Sequence, residues 1–167
     1  KVIAVSDKNN EYLIGKILTQ DWVEKTLMLR DTSKYCVSKF EKSALYDNES
    51  TYIYSSAIRS FKDEKIITGG IAVVFDSTPQ FNAMLDESLP RDIDGNKISG
   101  IFALFTDKDK KIISSTNDNF QVDSYLNIDD KFFNLKNAQQ KSQIIEMNNK
   151  YYAVAVKCSN GYREYKS

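Results

Sequence analysis

Two stretches about a hundred residues apart carry one pattern of side chains. Val2-Ile3-Ala4-Val5-Ser6-Asp7-Lys8 and Phe102-Ala103-Leu104-Phe105-Thr106-Asp107-Lys108 align without a gap, running apolar residues, a hydroxyl, Asp and Lys in the same order. An apolar strand that ends in an Asp-led polar turn cannot bury itself alone. Its recurrence is the strongest constraint on the fold, because a repeated supersecondary unit implies two similar modules in tandem.

The segments that follow each copy support that reading. In the first half, the turn Lys8-Asn9-Asn10 and a short strand at Tyr12 to Ile14 complete a hairpin. Asp21 stands at an N-cap position with Glu24 three residues on, and Ile17, Leu18, Trp22 and Leu27 mark a helical face. Val37, Phe40 and Ala44 extend helical spacing through Ser33 to Leu45, and Asp47-Asn48-Glu49-Ser50 breaks it. Thr51 to Arg59 then alternates, with Tyr52, Tyr54, Ser56 and Ile58 on one face and Ile53, Ser55, Ala57 and Arg59 on the other. Ile66 to Phe75 reads as a central strand with a bulge or close approach at Gly69-Gly70. Ser77 or Thr78 caps the next helix, Pro79 lies in its first turn, and Phe81, Met84, Leu85, Ser88 and Leu89 share one face before Pro90.

The second half follows the same order: strand Ile101 to Thr106, turn Asp107 to Lys110, strand Lys111 to Ser115, a short helix in Ile128 to Leu135, and a hairpin from Ser142 to Cys158 turning at Asn148-Asn149. Each half reads hairpin, helix, hairpin. The expected fold class is therefore α+β: two tandem modules, residues 1–89 and 98–167, each an antiparallel sheet with helices on one face and a cavity between them.

Composition removes whole classes of function. Lys+Arg 23 balances Asp+Glu 23, so the basic surplus that nucleic-acid and membrane-surface binding demand is missing. No histidine occurs, which rules out Ser-His-Asp and Cys-His nucleophile pairs and mixed His/Cys zinc sites within the chain. Cys36 and Cys158 lack CxxC spacing and read as free thiols. Asp92-Ile93-Asp94-Gly95-Asn96 resembles the start of a calcium loop but lacks the distal Glu, and Ile98 to Ile101 is apolar. Gly69-Gly70 has no P-loop lysine. No catalytic residue, metal or cofactor is expected. The longest apolar runs are far below a bilayer span, and the chain reads as an excerpt whose anchors and output domains lie outside it.

The order of elements resembles the PAS-like sensory fold, and the tandem copy resembles the double Cache sensor domains of bacterial chemoreceptors and sensor kinases. Three stretches carry the likeness. Ile66 to Asp76 before a helix looks like the last strand of a first module, Ile101 to Ser115 like the opening hairpin of a second, and Tyr151 to Val156 with Asn160-Gly161-Tyr162 like its closing strands. GAF-like domains share a related layout and remain the rival. The resemblance implies a non-catalytic, extracytoplasmic domain of a membrane-anchored receptor, while the free cysteines and the absence of spans leave a cytoplasmic version open. Such a domain binds a small molecule, an amino acid or organic acid, and signals to an output domain or chemotaxis kinase complex, with a homodimer among its states. The alternative is a dimerisation or scaffolding module without a ligand. On the ligand reading the first module holds the site: Arg30 as a carboxylate clamp, Tyr52 and Tyr54 as hydroxyls and apolar walls, Asp76 as an acceptor for an ammonium, and Trp22 closing the pocket. Each has a plainer reading, as a solvated charge, strand aromatics, a helix-start acid and core, respectively.

Overall fold

The computed structural model describes residues 1–31, 33–136, 138–147 and 149–159. The chain divides into two compact units, Lys1–Ser77 and Thr78–Ser167. Both combine small antiparallel sheets with few helices, so the α+β class holds.

In the first unit, helix α1 is Asp21–Leu27, and the strands are β1 (Cys36–Val37), β2 (Glu41–Lys42), β3 (Ser50–Thr51), β4 (Ile53–Arg59) and β5 (Ile67–Val74). One antiparallel sheet has the order β1-β4-β5, and β2 pairs separately with β3. The expected alternation is present at the start of β4: Ile53 and Ser55 are buried, while Tyr52 before them and Tyr54 between them are half-buried.

α1 covers the Ser55 face. The Thr26 hydroxyl donates to the Trp22 carbonyl at 2.6 Å and lies 2.5 Å from the Ser55 hydroxyl. A Cβ on Gly70, beside Ala57 in the ladder, would sit 3.2 Å from Thr26 Cγ2. Small residues on this face thus let the helix approach the sheet closely.

Several local expectations change. Val2–Asp7 forms no strand; residues Lys8–Leu13 make a 3-10 helix instead. The chain returns through Gly15 at φ +91°, and only Val2 pairs back, through Val2 N to Lys16 O at 2.8 Å and Gly15 N to Val2 O at 2.9 Å. Ser33–Leu45 is not helical, because Cys36 and Val37 pair with Ser55 and Tyr54, and Ser38 closes that ladder against Ile53 through both its amide and its hydroxyl. Gln20, whose side chain does not cap the helix, precedes α1, while Asp21 lies within the first turn and pairs with Lys25. β5 is an edge strand among the described residues rather than a central one. Its bulge falls at Thr68, next to the glycine pair, where the register jumps between Ile58 and Arg59.

The second unit holds helix α2 (Ser77–Ser88, whose first residue closes the other unit), the hairpin β6 (Leu104–Thr106) and β7 (Ile112–Ser115), a 3-10 turn at Asp130–Phe132, and the hairpin β8 (Gln140–Met147) and β9 (Lys150–Lys157). Leu85 and Leu89 are buried as expected, with Ile112, Ile113, Ile128 and Phe132, whereas Met84 is exposed. α2 packs on the β6–β7 hairpin through Phe81 against Phe105, ring centroids 5.7 Å apart, and Asn82 accepting from Ser114 Oγ at 2.7 Å. Both expected hairpins form. Asn160-Gly161-Tyr162 lies outside the described residues.

Candidate functional site

The face of β4 turned away from α1 carries the aromatic residues. Tyr54 has Tyr35 and Phe75 as ring neighbours, each with centroids 6.2 Å away, and Tyr52 packs against Phe40 at 5.2 Å. The register explains the grouping: Val37 and Val73 lie opposite Tyr54, and the backbone bond from Phe75 N to Tyr52 O, 3.0 Å, prolongs the β4–β5 ladder by one residue. Farther along this face Ile71 and Val73 are 60% and 61% exposed. The result is a half-buried aromatic cluster beside an open aliphatic strip.

Asp76 follows Phe75 directly and is exposed, with its carboxylate accepting from the Tyr46 hydroxyl. The Thr51 hydroxyl donates to the Phe75 carbonyl and holds the end of β5 in place. Tyr52, Tyr54 and Asp76 therefore lie at the same end of the sheet. A carboxylate at the rim of a ring cluster can accept from an ammonium or hydroxyl whose apolar body lies on the rings.

The remaining candidates lie elsewhere. Trp22 is buried on α1, one turn before Thr26, on the side of the sheet opposite Tyr54. Arg30 is exposed and lies beyond the end of α1 rather than on it. A different arginine is fixed in this unit: Arg59 donates to the carbonyls of Glu64 at 2.6 Å and Leu29 at 2.7 Å. It ties the β4–β5 turn to the exit of α1.

Sequence reasoning missed Tyr35, Phe40, Phe75 and Tyr46 as neighbours of the Tyr pair. Phe75 was legible, since it continues the β5 alternation. Tyr35 and Phe40 lay in the segment read as helical, and Tyr46 comes close only through the loop between β2 and β3.

Other candidate chemistry resolves into turns and thiols. The Asp92 carboxylate accepts from the amides of Asp94 at 3.0 Å and Asn96 at 2.8 Å, so the calcium-like stretch is a side-chain-capped turn. Cys36 and Cys158 are free, and burial pushes the Cys36 thiol up, away from thiolate reactivity. Among the described residues no helix is long and apolar enough to cross a membrane.

The second unit has an open cleft of about 500 Å³, bounded by Asn127, Ile128, Asp129, Lys131 and Phe132 on one side and Gln143 to Met147 of β8 on the other. Comparison with family models, with curated proteins and with solved structures gives no match to this chain.

Proposed function

We propose that the chain is a non-catalytic sensory domain that binds a small molecule on the aromatic face of its first unit and passes a conformational bias to an output domain. The observation that supports this reading is the clustering of Tyr54 with Tyr35 and Phe75, the residue before Asp76, on a sheet face that α1 leaves open. The likeness of the sequence pattern to tandem PAS-like modules supplies the class, with an amino acid or organic acid as ligand, a chemotaxis or histidine-kinase output, and an extracytoplasmic setting. The mechanism is population shift: a ligand bridging the rings and Asp76 favours one position of the β5 end and of the chain leaving it. A second reading, a dimerisation or scaffolding module, draws on the exposure of Ile58, Ile71 and Val73, which offers an apolar strip to a partner.

A thermal-shift screen against amino acids, organic acids and amines tests the first reading. A ligand at 100 times its Kd adds about 2.7 kcal/mol to stability. The expected result is a rise that Tyr54→Ala and Asp76→Ala abolish and Arg30→Ala leaves intact. A hit insensitive to both Tyr54→Ala and Asp76→Ala removes the site, and a flat screen from a ligand-free preparation favours the scaffold.

A further inference from the structure

The cleft of the second unit has walls of different origin and a charged floor. One wall, Asn127 to Phe132, is fastened at both ends. Lys110 donates to the Ile128 carbonyl at 3.0 Å and pairs with Asp130, and Asp129 caps the 3-10 turn by accepting from Lys131 N at 2.9 Å. The other wall is the stretch Gln143 to Met147 of β8, whose pairing with β9 is regular from end to end. A cleft of about 500 Å³ between two secured walls falls in the size range of small-ligand sites.

Phe132, fully buried, forms the floor, and two ammonium groups lie over its ring: Lys131 Nζ at 5.7 Å and Lys141 Nζ at 5.5 Å from the centroid. Asp129 neutralises Lys131 across 3.2 Å. Lys141, two residues before the lining stretch of β8, brings a second positive charge to the same ring from the edge of the cleft. Its influence registers at Asp129, whose carboxyl is held below the usual carboxylate range, first by the Lys131 amide and ammonium, then by the charges of Lys131 and Lys141. Around this floor the lining is mainly polar, with the Asn127 and Gln143 amides and the Glu146 carboxylate.

We infer that this cleft is a second binding site, independent of the aromatic face of the first unit, for a small monocarboxylate that bears a hydroxyl or amino group. The carboxylate lies at the Lys131 and Lys141 ammonium groups, and the polar substituent bonds to Asn127, Gln143 or Glu146. A dianion such as phosphate fits less well. Lysines offer point charges rather than an arginine fork, one of the two is already neutralised, and the Glu146 carboxylate repels a second negative charge.

Amide NMR of the whole chain, titrated separately with lactate, alanine and inorganic phosphate, tests the site. The expected result is saturable shifts at Ile128–Phe132 and Gln143–Met147 with lactate or alanine, and weaker binding of phosphate. The stronger of the two carboxylates identifies the substituent as hydroxyl or amine. Lys141→Gln should weaken binding roughly tenfold or more, the usual scale for a lost charge-assisted bond, whereas Lys141→Arg should keep most of it. Both variants should retain the β6–β7 amide pattern, which separates loss of binding from loss of fold. The inference is overturned if neither carboxylate shifts these amides, if phosphate binds as tightly, or if Lys141→Gln binds like the parent. Shifts confined to Tyr52, Tyr54 and Asp76 would also overturn it, and would do so while supporting the first-unit site.

Discussion

The hydroxyl chain between α1 and β4 should be an energetic link that a double-mutant cycle can isolate. Thr26 has one proton, and it donates that proton to the Trp22 carbonyl at 2.6 Å, so across 2.5 Å it must accept from the Ser55 hydroxyl. Both residues are buried. Thr26→Val keeps the shape and removes the hydroxyl. Ser55 then turns to its remaining acceptor, the Cys36 carbonyl at 3.4 Å, so the cost should be about 1 kcal/mol rather than that of an orphaned donor. Ser55→Ala leaves Thr26 bonded to Trp22 and should also cost about 1 kcal/mol. The double variant loses the shared bond only once, so its destabilisation should fall short of the sum by about 0.5–1 kcal/mol. The chain contains one Trp, and it is Trp22 on α1. Its fluorescence during urea unfolding therefore follows the first unit separately from the second, which matters because two units need not unfold together. Additivity within about 0.3 kcal/mol would show that the two hydroxyls are not coupled and that α1 is held by apolar contact alone.

Further outcomes follow from particular contacts. Gly70→Val should destabilise the first unit by about 1–3 kcal/mol, because a Cβ there already meets Thr26 Cγ2 at 3.2 Å, while Gly69→Ala, with nothing within 4 Å, should change the Trp22 urea midpoint little. Asp107→Ala should cost about 1 kcal/mol, since its carboxylate accepts from Asp109 N at 2.8 Å and Lys111 N at 2.9 Å; amide exchange in β6–β7 reads the loss, and Asp107→Asn should restore most of it. Asp86 is held below the usual carboxylate range by the hydrogen-bonded Lys97 ammonium first, with the Arg91 guanidinium adding to it. Its folded pKa is lower than its unfolded one, so this contribution is complete above the ordinary carboxylate range, near pH 4, and is lost as pH falls through the folded value. Amide exchange in the second unit at falling pH should show that loss, and Asp86→Asn should flatten it.

The two stretches that first suggested a repeat show what one sequence can and cannot display. Asp7 and Asp107 do make the same local turn. Asp7 accepts from Asn9 N at 2.9 Å through its carboxylate and from Asn10 N at 3.0 Å through its carbonyl, and Asp107 accepts from Asp109 N at 2.8 Å and Lys110 N at 3.2 Å in the same two ways. This chemistry is local, so matching residues give matching bonds. The chains then diverge. Lys110 at φ 69° turns the second copy straight back into β7, whereas the first copy runs on through a 3-10 helix to Leu13 and reverses at Gly15. Strands were likewise legible where the signal is written in their own residues: β4 from its alternation, β5 from its apolar run, and β8 and β9 as arms of one hairpin. β1 was not legible. Two residues have no period, and Cys36 and Val37 are strands only because β4, later in the chain, pairs with them.

The same division explains the candidate site. Alternation alone placed Tyr52 and Tyr54 together and Ser55 opposite them, but it did not say which face a helix would cover. That choice follows from side-chain size. Ser55, Gly70 and Ala72 share the face with little bulk, and α1 can approach it closely enough for Thr26 to bond to Ser55. A helix on the Tyr54 face would have to displace the rings of Tyr35, Tyr54 and Phe75. Trp22 follows Thr26 to the covered side and serves the core, which separates it from the tyrosines it was expected to join. If this size argument is right, enlarging the covered face should loosen α1 without altering the rings. Ala57→Leu, beside Gly70 in the ladder, should then red-shift the Trp22 emission and leave any ligand contact at Tyr54 and Asp76 in place, whereas weakening of both together would mean that the two faces of β4 are not independent.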